Sequence, residues 1–182
     1  MLLRRFTVAE FERMGEADIF PKDVRLELIE GEIVEMPPIG SHHAACLKRL
    51  STFLYRRIGR MAVIGAQDLI RLDNYSEPQP DVALLKWRDD LYEKATPTSA
   101  DVLLIIEVAD TSVEYDRLVK VPLYAKAGIK EVWLVNLPAE RIEIYAEPAG
   151  GAYQIIREVK RGEGAQAHSV ASLVVNASDV LE

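Results

Sequence analysis

Four chargeable residues between positions 79 and 120 stand where a packed core would favour apolar side chains: Asp81, Glu107, Asp116 and Lys120. Burying an ionised group without a partner is costly, so such residues pair with one another, bind a cation or take part in chemistry. This stretch is therefore the first candidate for an active site.

Two of the acids lie at the ends of predicted strands. Asp81 follows Pro80 and opens the apolar run 82–85, which predicts a short buried strand that begins at the carboxylate. Glu107 interrupts the end of the aliphatic run 102–108, which predicts a central strand. If these strands are antiparallel neighbours, the start of one lies beside the end of the other, and both carboxylates reach the same edge of the sheet.

Two converging carboxylates, with backbone carbonyls nearby, form the oxygen-rich pocket that a hard divalent cation such as Mg²⁺ or Mn²⁺ prefers. Such an ion polarises a phosphoryl oxygen and lowers the pKa of a bound water, while a nearby ammonium stabilises the developing negative charge. Lys120 is the candidate for that ammonium. The combination favours phosphodiester cleavage.

The strand that carries Glu107 is followed by a predicted helix. Ser112 and its neighbours can cap the start of a helix over 113–127, and Gly128 is a good stop. Asp116 and Lys120 are four residues apart and share one helix face. Taken alone, this pair is also typical of a solvated surface ion pair, and that interpretation stays open.

These residues belong to a longer pattern that resembles a known family. The pattern comprises Pro80-Asp81, Glu107-Val108, Thr111-Ser112, Asp116, Lys120, Tyr124, Gly128 and the run 131–136, with 27–32, His43 and Leu50 upstream. It is similar to the Uma-type family of restriction endonucleases, within the PD-(D/E)XK nuclease superfamily, and the similarity covers roughly residues 6–146.

The resemblance implies an α/β (α+β), restriction endonuclease-like fold with a mixed central sheet flanked by helices. It also implies Mg²⁺-dependent cleavage of DNA, with Asp81 and Glu107 as metal ligands. The superfamily's lysine normally stands two residues after the acid, but Ala109 occupies that position here. The family pattern points instead to Lys120. Asp116, one helical turn earlier, would orient the ammonium. A catalytically inactive nucleic-acid-binding protein on the same fold is the alternative that Ala109 supports.

Two residues nearer the amino terminus have open roles. Glu27 lies in the first strand of a hairpin predicted over 25–36, and it faces either the pocket, as the family pattern suggests, or solvent. His43 opens a helix predicted over 42–58, and it either lines the pocket or serves the start of the helix. His42 and His43 cannot easily chelate one ion together, because neighbouring helical residues diverge by about 100°.

The remaining chain predicts strands over 62–72 and 131–136, additional C-terminal antiparallel strands over 141–145 and 152–160, and a short strand over 173–175. A length of 182 residues favours one domain, 1–182. The lone Cys46 excludes an internal disulfide. With no apolar run long enough for a signal peptide or a membrane span, we expect a cytoplasmic protein. Cutting both strands of a duplex would favour a homodimer.

Charge is unevenly distributed along the chain. The segment 41–67 has no Asp or Glu but holds five cations, so the net charge of −7 leaves −12 on the rest. These cations are Lys48, Arg49, Arg56, Arg57 and Arg60. Because lysine and arginine dominate binding to polyphosphate, we expect this segment to contact DNA. A solvated helix face is the alternative.

Overall fold

The computed structural model describes residues 3–170 and 172–181. Its strands are β1 (Arg25–Ile29), β2 (Glu32–Met36), β3 (Val63–Ala66), β4 (Val82–Leu85), β5 (Val102–Ala109), β6 (Glu131–Asn136), β7 (Arg141–Ala149), β8 (Ala152–Lys160), β9 (Gly164–Gln166) and β10 (Val174–Asn176). Its α-helices are α1 (Val8–Glu16), α2 (Ser41–Ile58), α3 (Val113–Tyr115), α4 (Val121–Lys126) and α5 (Ala177–Val180). Within this part of the chain, no helix is long and apolar enough to cross a membrane.

A mixed six-stranded sheet in the order β3-β4-β5-β6-β7-β8 forms the centre of the fold. Only β5 and β6 are parallel, because the helical segment between them carries the chain back across the sheet. The neighbours β4 and β5 are antiparallel, with Val82 opposite Ile106. This register confirms the predicted pairing and sets Asp81 beside Glu107.

Both faces of this sheet are buried. The apolar stripe of α2, made of Cys46, Leu50, Leu54 and Ile58, packs on one face. Residues of α4, including Tyr124, pack on the other. The strands therefore read as nearly continuous apolar runs, and a carboxylate within them stands out in the sequence.

The hairpin β1–β2 turns at Glu30 and Gly31, whose φ values are 48° and 84°. Positive φ at both positions gives the tight turn that fits the twist of a two-residue hairpin. A Cβ at Gly31 would also lie 2.5 Å from the Cβ of Arg5, so glycine is required for close packing. This turn fixes the register of β1, which carries Glu27.

The segment predicted as one α-helix over 113–127 is interrupted by a π-helical turn, Asp116–Lys120. The N–H of Val121 donates to the carbonyl of Asp116, five residues back. The next residue, Pro122, has no N–H to continue an α-helical ladder, so the wide turn adjoins a position where that ladder is already broken. Such turns are frequent at functional sites.

One strand prediction needs correction, and one strand, β9, was not predicted. The strand expected over 62–72 is confined to β3, since the chain bends where Gln67 adopts a φ of 57°. The short C-terminal strand is β10, and it pairs with β9, which the sequence does not indicate because its three residues are too few to show a period. The hairpin of β7 and β8 is confirmed.

A buried carboxylate on β7 anchors a second polar cluster. Glu143 accepts hydrogen bonds from Arg117, Asn136, Arg141 and Tyr145. Burial alone would raise the pKa of Glu143, but these donors lower it from 4.5 to about 2. The carboxylate therefore stabilises the folded state only while it is ionised.

We expect Glu143→Gln to lower the free energy of unfolding by about 2 kcal/mol at pH 7. Because the folded-state pKa is depressed, this difference from wild type is complete above pH 4.5 and shrinks as the pH falls toward 2. Urea unfolding of both proteins between pH 3 and pH 7 measures it. Glu158→Gln removes a half-exposed partner of Arg141 and should change stability by less than about 1 kcal/mol. A pH-independent difference for Glu143→Gln would contradict the assignment.

Candidate active site

Asp81 and Glu107 are joined through the backbone at the edge that β4 and β5 share. The N–H of Asp81 donates to Glu107 Oε2 at 3.2 Å, and the N–H of Val108 donates to Asp81 Oδ2 at 2.9 Å. Only 6% of Asp81 and 3% of Glu107 is exposed. The predicted convergence of the two carboxylates is confirmed.

The remaining contacts of Asp81 come from other elements. His43 Nε2, at the start of α2, lies 2.9 Å from Asp81 Oδ2, and Gln67 Nε2 lies 3.4 Å from Oδ1. Burial opposes ionisation of Asp81, but the hydrogen bond and charge of His43, the N–H of Val108 and the charge of Lys120 together outweigh it and lower the pKa of the carboxyl. The same bond raises the pKa of His43. His43 therefore lines the pocket, whereas His42 is exposed.

The Lys120 side chain is almost completely buried and lies between two carboxylates. Its Nζ is 2.8 Å from Glu107 Oε1 and 3.1 Å from Glu27 Oε1. Burial alone would lower the pKa of Lys120, but Glu107 and the neighbouring acids raise it well above its ordinary value. These two ion pairs favour the ammonium form of Lys120, and its burial excludes the surface ion pair considered for it.

Glu107 receives a further hydrogen bond from a tyrosine on the same helical segment. The Tyr124 hydroxyl donates to Glu107 Oε1 at 2.6 Å. Burial raises the pKa of Glu107, and the Lys120 ammonium opposes that rise. Tyr124 belongs to the family pattern, but its role was not predicted from sequence, because no local period shows which group a buried tyrosine contacts.

Glu27 faces the pocket side of its hairpin and is fully buried. Its Oε1 accepts the N–H of Gln79 at 2.9 Å in addition to the Lys120 ammonium. Its Oε2 has no hydrogen-bond partner among the described residues. The question that the strand pattern left open is therefore answered: Glu27 faces the Lys120 ammonium inside the protein and not solvent, but it does not line the cavity itself.

Asp116 does not hold the Lys120 ammonium by direct contact, which corrects the expected role. Its Oδ2 accepts the Ser112 hydroxyl at 2.6 Å, while Glu27 and Glu107 form the ion pairs with Lys120. The π turn places Asp116 and Lys120 inside the protein, but the two side chains do not pair with each other. Lys120 pairs with acids from other parts of the chain. Asp116 acts on the ammonium through space.

A cavity of about 130 Å³ opens beside these groups, and its walls include His43, Asp81, Glu107, Asp116 and Lys120. The cluster with Glu27 holds more carboxylates than cationic groups, and Asp81 Oδ1 has only the long contact with Gln67. Oxygen donors with excess negative charge beside open space suit a hard divalent cation. Among the described residues, no three or more His, Cys, Asp or Glu side chains are arranged as a cage.

The predicted basic segment lies along α2 and just beyond its end. Lys48, Arg49, Arg56 and Arg57 line one shallow surface cavity. Arg56 is thirteen residues beyond His43, or about 20 Å along the helix axis. The cationic surface thus extends along α2 from Lys48 to Arg57, and His43 in the first turn of the same helix contacts Asp81 in the pocket.

Several of these cations have partners within the protein. Arg49 donates to the carbonyl of Val180, which ties α2 to α5. Arg60 pairs with Asp89 at 3.2 Å and lies over the ring of Trp87. Arg49 and Arg60 therefore also stabilise the fold.

Comparisons with known proteins agree with this arrangement. The Uma2 family, described as "Putative restriction endonuclease", matches residues 8–177. A crystal structure of "a putative nuclease belonging to DUF820" from Anabaena variabilis ATCC 29413 aligns with a TM-score of 0.76 and 16% identity, over 96% of this chain and 97% of that chain. No curated protein matches the chain significantly.

The mixed sheet and its flanking helices give this chain a restriction endonuclease-like α/β fold. The chain belongs to the Uma2 family. Both the fold and the family resemblance predicted from the sequence are confirmed.

The buried ion pair gives a stability prediction. Lys120→Met should lower the free energy of unfolding by about 3–5 kcal/mol in metal-free buffer, because it leaves Glu27 and Glu107 buried without their cation. Glu27→Gln should cost less, since Lys120 keeps Glu107. The double variant should be destabilised by clearly less than the sum of the two. Denaturant unfolding of the four proteins measures the coupling, and strict additivity would show that the pair is not coupled.

Proposed function

We propose that this protein is a Mg²⁺-dependent nuclease that cleaves DNA phosphodiester bonds. The observation that carries the proposal is the meeting of Asp81 and Glu107 at one sheet edge, with the Lys120 ammonium 2.8 Å from Glu107. The family's description as a restriction endonuclease supports the same reaction class.

In this proposal Asp81 and Glu107 hold the ion, which when bound would polarise a phosphoryl oxygen and lower the pKa of a water molecule. Mn²⁺ would serve the same carboxylate ligands. His43 and the N–H of Val108 fix the Asp81 carboxylate, so its orientation needs no rearrangement when substrate arrives. The Lys120 ammonium stabilises negative charge that develops on the phosphate.

The basic segment supplies the contact with the DNA backbone in the same proposal. Arg56 lies about 20 Å from His43 along α2 and would contact the backbone several base pairs from the cleaved bond, whereas Lys48 is only about 8 Å from His43 and would contact it nearer. A homodimer with two-fold symmetry would present two pockets to the two strands.

A catalytically inactive DNA-binding protein is the second candidate, and the observation in its favour is Ala109. That residue is fully buried on β5 and cannot supply the superfamily's usual lysine. Lys120 reaches the Glu107 carboxylate from the helical segment instead, which favours the enzyme.

Metal binding tests the enzyme directly. We expect wild type to bind one Mn²⁺ in a calorimetric titration. Asp81→Asn or Glu107→Gln should weaken that binding at least tenfold. Each should also lower the rate of plasmid nicking by on the order of 10²-fold or more. Glu30→Gln, which alters an exposed carboxylate paired with Lys126, is the matched control and should change neither quantity. Metal binding without nicking would favour the inactive candidate, and absence of binding to wild type would reject both ligand assignments.

The basic segment gives a separate prediction. Arg56→Ala combined with Arg57→Ala should weaken binding to a DNA duplex and reduce the slope of log affinity against log salt by about 1–2, because two phosphate contacts are lost. Fluorescence anisotropy at several salt concentrations measures both. Arg157→Ala with Lys160→Ala removes the same charge from the edge strand β8 and is the control. Equal losses in the two variants would mean that only net charge matters.

A further inference from the structure

One buried cation joins two carboxylates that come from different parts of the chain. Glu27 lies on the hairpin strand β1, Glu107 lies on the central strand β5, and the Lys120 Nζ is within 3.1 Å of an oxygen of each. The exposed fraction of Lys120 is 1%. Solvent therefore cannot replace the ammonium as the partner of either acid.

The Glu27 carboxylate still has an unused oxygen. Glu27 is fully buried, and within the part of the chain that the structure describes its Oε2 has no hydrogen-bond partner. A buried carboxylate oxygen without a partner forfeits the full free energy of its lost hydration. The Glu27 carboxylate thus has more capacity to bind a cation than one ammonium uses.

The ammonium lies between two carboxylates, a place that suits a cation. Paired metal ions in phosphodiester-cleaving sites lie about 3.5–4 Å apart. Glu107 Oε1 contacts the Lys120 ammonium and accepts the Tyr124 hydroxyl, while Oε2 accepts the N–H of Asp81 on the side of the first ion site. The Glu27 carboxylate contacts the ammonium as well as Glu107 does, as a further ligand would contact a metal ion.

We propose that the Lys120 ammonium occupies the second cation position of this active site, so that the intact protein takes one divalent ion and removal of the ammonium opens a second ion site between Glu27 and Glu107. This inference rests on the proposed function, because it takes Asp81 and Glu107 as the ligands of the first ion. A covalently held cation has a fixed charge and needs no ion from solution. It also repels a second divalent ion from the same carboxylates.

The test compares the number of Mn²⁺ ions bound, by calorimetry and by electron paramagnetic resonance, in three proteins. Wild type should bind one ion. Lys120→Met keeps an unbranched side chain that is one atom shorter, so it removes the charged end, and it should bind two ions, close enough for their electron spins to couple. Glu27→Gln combined with Lys120→Met removes the outer carboxylate and should return the number to one.

Two further variants make the result decisive. Lys126→Met removes an exposed lysine that pairs with Glu30, and it should still bind one ion. Lys120→Gln retains an N–H donor for the carboxylates, so it tests the same point if Lys120→Met does not fold, and it should also bind two spin-coupled ions.

The outcomes separate this inference from the proposed function. One ion in wild type together with one ion in both Lys120 variants would overturn the inference and leave the nuclease proposal intact. Two coupled ions in wild type would overturn it as well. No ion in wild type would overturn the ligand assignment of Asp81 and Glu107, and the inference with it.

Discussion

Negative charge buried at the edge of a sheet must be balanced, and much of this protein's architecture supplies the balance. Glu27, Asp81, Glu107 and Asp116 are all nearly inaccessible to water. Leaving such groups ionised and unpaired would cost several kcal/mol each. The Lys120 ammonium, the His43 ring, the Tyr124 hydroxyl and backbone N–H groups share the task. Lys120 and Tyr124 come from the helical segment between β5 and β6, whereas His43 comes from α2.

Helices and strands, rather than loops, position most of these groups. The tight turn at Gly31 sets the register of β1, the antiparallel pairing of β4 with β5 aligns the two central acids, and α2 brings its first turn over the sheet edge. The segment between β5 and β6 must cross the sheet because those strands are parallel. That crossing carries Lys120 back to the edge at which Glu107 stands.

The sequence predicts most of this frame because strand and helix periods are local properties. The runs that became β4, β5 and β6 are aliphatic on both faces, and the stripe of α2 is clear over four turns. From the sequence, the antiparallel pairing of β4 with β5 was an assumption. The observed register agrees with it and places Asp81 beside Glu107. The position of Lys120 was indicated by the family resemblance, since spacing along a helix shows only which residues share a face.

The misses have one physical origin. Asp116 was assigned to Lys120 because i and i+4 side chains are neighbours on a helix, but Ser112 and distant acids offered better geometry. The contact of His43 with Asp81 and that of Tyr124 with Glu107 join residues 38 and 17 positions apart. No local pattern records such contacts. The π turn was missed for a related reason, because the sequence does not show that Asp116 and Lys120 are buried while Leu118 between them is exposed.

The π turn also bears on how related chains can be compared. A wide turn holds one residue more than the α-helical turn it replaces, so an insertion or deletion there can be absorbed without moving the helix ends. The ammonium is defined by its place in space, between two carboxylates, and chains of different spacing can reach that place from a strand or from a helix. Searches keyed to a fixed interval between acid and lysine would pass over this protein, whereas a three-dimensional template of one ammonium and its flanking carboxylates would find it.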